Sequence, residues 1–307
     1  MKPILKRTFL FLFLILNVVA YNHAYKFTHF SENSIPKSGK PEHLSVTEKM
    51  KLMFWGISNP KPVNYHKPAR SHETIIIQSN EKLEAWLIEP ENPKGVVLLF
   101  HGYSGCKSGM LNYAEEFFQM NYRTLLVDFQ GSGGSTGNQT TVGFNEKKDV
   151  QAAYDYIKKR FPEEEIILFG SSMGAAAILK AVSEDSIEPD KLIVECPFGS
   201  MRTTTQKRFE AMGLPTFILP DLLLIYGSIQ NGFNAFSHNP TEYAKDINIP
   251  TLLLYGAKDP RVTRVETDEI FQNLKGEKSL GIFENAGHEN YLWQYSQEWK
   301  KEIDAFL

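Results

Sequence analysis

The sequence is poor in cysteine and has no dense group of metal ligands. Cys106 and Cys196 are the only cysteines among 307 residues, and no cysteine and histidine residues have the spacing of a structural zinc site. We therefore expect neither a metal nor a cofactor. The two cysteines fit either a pair of buried free thiols or, in an exported protein, one disulfide bond.

The chain also lacks an excess of positive charge. Its formal net charge is −3 at pH 7, so nucleic acid is not an expected partner. A phosphate-binding loop is missing as well. The glycine-containing segment 128–135 has neither the Lys-Ser/Thr ending of a P-loop nor a full G-x-G-x-x-G at the start of a helix. We interpret this segment as a structural loop that borders the site.

The N-terminus has the pattern of an export signal. Residues 1–7 are basic, residues 9–16 are wholly apolar, and Val18-Val19-Ala20 offers small or tolerated residues for cleavage. The apolar run is shorter than the roughly 18 residues of a typical spanning helix. We predict a signal peptide or an uncleaved signal anchor over residues 1–24. The expected location is periplasmic or secreted, with membrane association through this segment as the alternative.

The rest of the chain divides into an arm and one domain. Residues 25–73 are polar and rich in proline, around one predicted helix at residues 46–55. From residue 74 to residue 307, short apolar strands alternate with helices, which is typical of a parallel sheet covered on both faces. The predicted strands are 74–77, 83–88, 96–100, 122–129, 165–169, 192–195, 251–255 and 279–283, and the predicted helices are 111–120, 145–160, 173–182, 265–274 and 291–307.

One interval, at about residues 197–246, interrupts this alternation. It contains a helical segment at residues 202–212 and an apolar segment at residues 214–224. Because loops at the carboxyl ends of parallel strands face the ligand crevice, we predict a small helical cap over the site. The alternative is a pair of helices packed at the edge of the sheet.

Residues 170–174, Gly-Ser-Ser-Met-Gly, fit the G-x-S-x-G pattern. The pattern follows an apolar strand and opens an alanine-rich helix, as a nucleophile elbow requires. Ser172 is therefore the candidate nucleophile. On the pentapeptide alone, an ordinary Gly/Ser turn is the alternative.

A serine nucleophile needs a histidine base and a carboxylate that orients it. Two histidines follow Ser172, and we favour His288, directly after a predicted strand, over His238 in the irregular insertion. Asp259, one short loop beyond the strand at residues 251–255, is the candidate acid. Glu195 competes with it, and the alternative role of Asp259 is to cap a turn before Pro260.

Two backbone amides are candidates for the oxyanion hole. The amide of Met173 begins the helix after Ser172, where the helix dipole favours negative charge. The amide of Tyr103 lies in the loop after the strand at residues 96–100. His101, beside Gly102, is expected to structure that loop rather than to act as a base.

Together these motifs resemble the α/β-hydrolase superfamily, and within it the bacterial serine aminopeptidase-like hydrolases. The resemblance covers residues 74–307 and rests on His101-Gly102, the segment 128–135, the elbow, residues 256–262 and Ala286-Gly287-His288. It implies an α/β-hydrolase fold. It also implies acyl transfer in which a Ser172-His288-Asp259 triad forms an acyl-enzyme that water then hydrolyses. Members of the group commonly carry arginine where Gln130 stands, so any ion pair of that arginine is absent or replaced here.

For the reaction we predict a carboxylesterase acting on a small or medium acyl ester. The apolar residues of the insertion fit either the lining of an acyl pocket or the core of the cap. One alternative is an exported aminopeptidase with a peptide substrate, which would need clustered carboxylates to bind the substrate ammonium. Acidic residues in the insertion are scattered. The other alternative is a non-catalytic envelope-binding protein, which usually lacks a triad member. All three candidate residues occur here in the order Ser, Asp, His.

Overall fold

The computed structural model describes residues 3–32, 36–39, 44–185 and 187–307. Contacts divide the chain into two compact units. The first comprises Met1–Pro60 and Met201–His238, and the second comprises Lys61–Ser200 and Asn239–Leu307. Most of the predicted insertion therefore clusters with the N-terminal part of the chain.

The second unit is built on one eight-stranded sheet in the order β1-β2-β4-β3-β5-β6-β7-β8. The pairs β1–β2 and β2–β4 are antiparallel and all the others are parallel. The α/β-hydrolase fold predicted from the sequence is thereby confirmed. The strands are β1 (Glu73–Gln78), β2 (Lys82–Ile88), β3 (Gly95–Phe100), β4 (Arg123–Val127), β5 (Glu165–Ser171), β6 (Lys191–Glu195), β7 (Thr251–Gly256) and β8 (Lys278–Phe283).

Burial along the strands explains why the sheet was readable from the sequence. Every residue of β3 and β7 is buried, because helices cover both faces of the central parallel strands. The edge strand β1 instead alternates, with Ile75 and Ile77 buried and Ile76 exposed. A continuous apolar run therefore marks the centre of the sheet, and alternation marks its edge.

Seven α-helices of the second unit lie within the described residues. The C-terminal helix predicted at residues 291–307 is two helices, because Tyr295 has a non-helical backbone with φ −128° and ψ 43°. The break separates a helix in which Tyr291 stacks on Phe283 from one in which Trp299 reaches Glu195. The helices are α3 (Leu111–Gln119), α4 (Lys147–Arg160), α5 (Met173–Glu184), α8 (Pro240–Tyr243), α9 (Arg264–Asn273), α10 (Tyr291–Gln294) and α11 (Ser296–Phe306).

The first unit contains α1 (Pro3–Thr28), α2 (Val46–Trp55), α6 (Met201–Ala211) and α7 (Leu219–Asn231). Helix α1 packs against α7: the Tyr226 hydroxyl donates to Asn17 Oδ1 at 2.6 Å, and Gln230 Nε2 donates to the Tyr21 carbonyl at 2.9 Å. By length and composition, the segment Lys6–Thr28 is able to cross a membrane. The helix is thus longer than the apolar run alone indicates.

Candidate active site

Ser172 occupies the turn between β5 and α5. Its φ is +53°, a left-handed value that residues other than glycine rarely adopt. Its backbone N–H donates to the Glu195 carbonyl at 2.8 Å, which fixes the turn to the end of the neighbouring strand β6. The chain reverses between strand and helix at this one residue, and the strained backbone holds the side chain at the carboxyl ends of the strands.

The two glycines of the elbow are required by close backbone contacts. A Cβ at position 174 would lie 2.3 Å from the Phe100 carbonyl oxygen, at the end of β3. A Cβ at position 170 would lie 2.6 Å from the Gly174 carbonyl carbon. Both distances are too short for a real Cβ, so only glycine lets α5 start directly against β3 and β5.

The loops that carry Asp259 and His288 are joined by their backbones. These loops follow β7 and β8, which are neighbours in the sheet. The Lys258 N–H donates to the Ala286 carbonyl at 2.9 Å, and a Cβ at Gly256 would lie 2.6 Å from that same oxygen. Glycine at position 256 therefore allows the two loops to lie directly against each other.

The structure brings Ser172, His288 and Asp259 together in one chain of hydrogen bonds. His288 Nδ1 lies 2.7 Å from Asp259 Oδ2, and His288 Nε2 lies 3.1 Å from Ser172 Oγ. An ionised carboxylate only accepts, so Nδ1 carries the proton and Nε2 is free to accept from the serine hydroxyl. The Asp259 side chain is 0% exposed and that of His288 is 15% exposed.

The two carboxylate oxygens of Asp259 have different hydrogen-bond partners. While Oδ2 faces His288, Oδ1 accepts from the N–H groups of Arg261 and Val262 at 2.7 and 3.0 Å. The turn-capping role considered from the sequence is therefore present together with the contact to His288. Because two backbone donors hold one oxygen, the carboxylate plane is fixed relative to the imidazole.

The competing acid and base lie elsewhere. Glu195 accepts from the Tyr113 hydroxyl at 2.8 Å and from Trp299 Nε1 at 2.7 Å, in the core. Complete burial raises the pKa of its carboxyl to about 7. His238 belongs to the first unit, where its carbonyl accepts from the Met201 N–H at 2.9 Å.

The loop after β3 passes close to the elbow. A Cβ at Gly102 would lie 3.6 Å from Ser172 Cβ, and the Gly105 N–H donates to the Gly102 carbonyl at 3.1 Å to close a turn. Tyr103 is the second residue of that turn. Met173 is the first residue of α5, where backbone amides have no partner within the helix. Both candidate oxyanion donors thus lie in backbone segments that adjoin Ser172.

His101 is held inside this loop. Its Nε2 accepts from the Phe129 N–H at 3.2 Å, so its Nδ1 carries the proton and donates to the Gly102 carbonyl at 2.8 Å. Burial lowers the pKa of the ring, which keeps it neutral. These two bonds tie the loop after β3 to the loop after β4, in agreement with the structural role expected for His101.

The segment 128–135 is organised around Asp128 and Lys107, neither of which is exposed to solvent. Lys107 Nζ lies 2.5 Å from Asp128 Oδ2 and 2.7 Å from Glu84 Oε1. The Asp128 carboxylate also accepts from the backbone N–H groups of Lys107 and Gly134 at 2.6 and 2.8 Å. These contacts tie the segment to β2 and to the loop after β3, as expected of a structural turn.

Gln130, at the position where the family resemblance led us to expect arginine, contributes its backbone. The Gln130 N–H donates to Asp149 Oδ2 at 3.0 Å, and the Ser79 hydroxyl donates to Asp149 Oδ1 at 2.6 Å. Burial raises the pKa of Asp149 to about 7. Two neutral donors thus bind this buried carboxyl.

Cys196 lies behind the hydrogen-bonded chain. Its Sγ, one Asp259 oxygen and one His288 nitrogen all lie within 4.8 Å of one another. Burial raises the pKa of the thiol well above its usual value. Cys106 and Cys196 are both free cysteines, so they do not form the disulfide considered from the sequence.

Tyr291 was not identified from the sequence. Its hydroxyl is buried beside the Cys196 thiol and makes no hydrogen bond of ordinary length within the described residues. The only available signal was its position three residues after His288, in a segment that the sequence indicated as a continuous helix.

Comparison with known sequences decides the family. A sequence model of the family described as serine aminopeptidase, S33, matches residues 91–245, just over half of the chain. The chain belongs to this family of α/β-hydrolases.

Relatives of this S33-family chain include one uncharacterized protein and one lipase. It is 25% identical over 228 residues to the uncharacterized protein YqkD of Bacillus subtilis, which covers 73% of this chain and 75% of YqkD. It is also 25% identical over 174 residues to the lysophosphatidylserine lipase ABHD12 of Mus musculus. That match covers 54% of this chain and 42% of the lipase, so it spans less than half of that relative.

Among solved structures, the S33-family chain is similar to the esterase Pf2001 of Pyrococcus furiosus. The TM-score is 0.65 at 26% identity, and the match covers 81% of this chain and 97% of the esterase. An acetyl xylan esterase from Paenibacillus sp. R4 matches with a TM-score of 0.61 at 17% identity over 80% of this chain and 90% of that one, which shows the fold alone.

Proposed function

We propose that the protein is a serine hydrolase that cleaves carboxylic esters, with Ser172 as nucleophile, His288 as general base and Asp259 as the carboxylate that orients the base. The observation that carries this proposal is the pair of hydrogen bonds, 3.1 Å from Ser172 to His288 and 2.7 Å from His288 to Asp259. A serine hydroxyl becomes a useful nucleophile only when such a base accepts its proton.

The reaction follows from the tautomer of His288. Ser172 Oγ attacks the ester carbonyl while its proton moves to Nε2, and the buried Asp259 carboxylate stabilises the imidazolium that forms. The imidazolium then donates the proton to the departing alcohol oxygen, which leaves an acyl-enzyme on Ser172. A water molecule, deprotonated by the same nitrogen, releases the acid and restores the serine.

The negative oxygen of each tetrahedral intermediate needs fixed donors. We assign this role to the backbone amides of Met173 and Tyr103, the first at the N-terminus of α5 and the second in the turn that passes Ser172. Such a donor typically contributes about 3 kcal/mol of transition-state stabilisation. The amides need no reorganisation because the elbow and the His101 bonds already hold their backbones.

Ester cleavage is favoured over aminopeptidase activity by the charges of the insertion. An aminopeptidase needs free carboxylates to bind the substrate ammonium. Three of the acidic residues scattered in the insertion each have a basic partner at 2.8 Å. The pairs are Asp221 with Arg202, Glu210 with Lys207, and Glu242 with Lys245. The likeness to the Pyrococcus esterase supports the same choice.

An ester panel beside an aminoacyl-amide panel tests the reaction. We expect hydrolysis of p-nitrophenyl acetate and butyrate, slower hydrolysis of the palmitate, and little release from the amides. Ser172→Ala should abolish turnover and labelling by a fluorophosphonate probe. Ser171→Ala is the matched control, since it removes a neighbouring hydroxyl from the end of β5. Wild-type turnover by Ser172→Ala would refute the assignment.

We also propose that the protein is exported and that α1 is retained as an anchor. Cleavage after Ala20 would remove Asn17, which accepts from the Tyr226 hydroxyl, and the remainder of α1 would begin at Tyr21. The intact mass of protein from the membrane fraction tests this. A mass that corresponds to a chain starting near residue 21 would show cleavage instead.

A further inference from the structure

Three different metal-ligating atoms lie close together at the carboxyl ends of neighbouring strands. Cys196 follows β6, Asp259 follows β7 and His288 follows β8, and these strands are consecutive neighbours. The thiol sulfur, a carboxylate oxygen and an imidazole nitrogen therefore lie within 4.8 Å of one another. Hydrolysis as proposed above uses two of these side chains and leaves the thiol without a role.

A fourth polar group adjoins the same place. The Tyr291 side chain is 0% exposed, and its hydroxyl is buried beside the Cys196 thiol without a hydrogen bond of ordinary length in the described chain. A thiolate accepts hydrogen bonds far better than a thiol does, so this donor would be satisfied if the sulfur became negative.

We propose that Cys196, Asp259 and His288 bind Zn²⁺ and that this binding inactivates the hydrolase. One sulfur, one nitrogen and one oxygen ligand are the donor types that zinc takes in proteins, with water from solvent completing a tetrahedron. The inactivation rests on the proposed function of Ser172 and His288, whereas the binding itself does not.

The three side chains must draw closer together to bind one ion. Zinc lies about 2.3 Å from sulfur and about 2.0–2.2 Å from nitrogen or oxygen, so two ligands at a tetrahedral angle are roughly 3.3–3.8 Å apart. The three atoms here lie within 4.8 Å of one another, so side-chain rotation has to close about 1 Å. Of the triad carboxylate and imidazole, only the His288 side chain reaches solvent, at 15% exposure, so the ion enters past the imidazole.

Binding balances with the release of one proton. The Cys196 S–H bond breaks, its proton leaves to solvent, and the sulfur electron pair binds the ion. His288 binds through Nδ1, which gives up its proton, while Nε2 takes one up, so the ring stays neutral. No electron is transferred. Nε2, which lies 3.1 Å from Ser172 Oγ, then carries a hydrogen and no longer accepts the serine proton.

The experiment combines zinc binding with activity in the full chain, freed of metal beforehand. Zinc is titrated against a chromophoric chelator, and p-nitrophenyl butyrate turnover is measured at each point relative to the zinc-free rate of the same variant. Cys196→Ser removes the sulfur ligand, and Cys106→Ser, the other free cysteine, is the matched control. Wild type and Cys106→Ser should bind one zinc ion per chain and lose activity, with recovery on addition of EDTA.

Cys196→Ser should bind zinc roughly tenfold or more weaker and keep its activity at concentrations that inactivate the wild type. Equal zinc affinity of Cys196→Ser and wild type would overturn the proposal, as would tight binding that leaves turnover unchanged. If Cys196→Ser does not fold, Cd²⁺ added to wild type should give a thiolate charge-transfer absorption that Cys106→Ser retains, and a missing band would overturn the site.

A further variant separates this proposal from the proposed function. Ser172→Ala retains all three ligands, so it should bind one zinc ion although it is inactive. If the wild type cleaves no ester, the proposed function fails while the chelator titration still decides the metal site. If the wild type cleaves esters but binds no zinc, the metal site fails and the hydrolase remains.

Discussion

At the scale of single residues, the proposed mechanism makes the reactivity of Ser172 depend on the position of one proton on His288. The ring is held by Asp259 Oδ2, and Asp259 is held in turn by two backbone N–H groups on its other oxygen. Rotation of the carboxylate would break those backbone bonds. The turn at Asp259–Val262 therefore fixes the orientation of the imidazole through the Asp259 carboxylate. The residue before this turn, Lys258, is hydrogen-bonded to the loop before His288.

Replacement of Asp259 by Asn tests this dependence. The amide side chain presents N–H to His288 Nδ1 while its carbonyl keeps the bonds from the turn, so the hydrogen of the ring moves to Nε2. We expect kcat for p-nitrophenyl butyrate to fall about 10⁴-fold with little change in KM. Asp155→Asn, at an exposed position of α4, is the control. A decrease in kcat smaller than about tenfold would contradict the role of Asp259.

A second residue-level contrast concerns two lysines in ion pairs. Lys107 is 0% exposed between Asp128 and Glu84, whereas Lys245 and Glu242 form a pair in which both side chains are half exposed. Lys107→Met would leave the buried Asp128 carboxylate without a cation. We expect a loss of about 3–5 kcal/mol in the free energy of unfolding, against less than about 1 kcal/mol for Lys245→Met.

Urea unfolding of the two variants measures this difference, with far-UV circular dichroism as the probe. A loss below about 1 kcal/mol for Lys107→Met would show that water replaces the lysine at Asp128. The turn after β4 would then be less dry than its buried side chains indicate.

At the scale of elements, the entry of the chain into α5 depends on an approach that only glycine permits. Gly174→Ala would place a Cβ 2.3 Å from the Phe100 carbonyl, so α5 or β3 must move. We expect a loss of roughly 1–3 kcal/mol in the free energy of unfolding and a large decrease in kcat, since Ser172 and Met173 shift with the helix.

Gly227→Ala is the matched control for this change. Gly227 lies within α7, and a Cβ there would meet no atom within 4 Å. Alanine should stabilise that helix by roughly 0.5–1 kcal/mol and leave kcat unchanged. Similar unfolding energies for the two variants would contradict the contact at Phe100.

The bounds of the central strands could be predicted from the sequence, whereas a helix break and several contacts could not. The central strands were predicted to within about two residues because burial on both faces demands continuous apolar runs, as in β3 and β7. The break at Tyr295 was missed, since the residues on either side keep one apolar periodicity and the break is visible only in the backbone. Likewise, neither Tyr291 nor the Lys107–Asp128 pair has a local signature, because each depends on partners distant in the chain.

For the candidate site, the sequence predicted which residues are involved but not the distances between them. Ser172, Asp259 and His288 were named from motifs placed after strands, and the structure brings them together because parallel strands share one edge. The proximity of Cys196 to Asp259 was not predicted at atomic distance. Sequence patterns indicate which loops meet, whereas the distance between two side chains depends on rotamers and on packing beneath the loops.

At the scale of the whole molecule, stability should depend on pH through the buried Asp149 carboxyl. Its pKa is raised from 3.8 to about 7 by burial, with further contributions from Glu146 and Glu81. A carboxyl with a raised pKa binds its proton more tightly in the folded state. Its favourable contribution is therefore complete below about pH 4 and is lost as the pH rises towards 7.

Asp149→Asn should remove this dependence. The amide oxygen accepts from the Gln130 N–H, and the amide nitrogen donates to the Ser79 hydroxyl, so both contacts persist. Relative to wild type, the variant should gain on the order of 1 kcal/mol per pH unit in the free energy of unfolding between about pH 5 and about pH 7. Parallel pH profiles for the two proteins would show that Asp149 is ionised in the folded state throughout.

The order of the strands along the chain has a consequence for synthesis and for the proposed export. Ser172 and His288 are 116 residues apart, and the base follows β8, the last strand to be made. In the proposed mechanism, a nascent chain that has already formed the elbow has Ser172 without His288, so it cannot hydrolyse esters during translation or during the proposed export. Docking of β8 supplies the base, and the proposed activity therefore appears only when folding is complete.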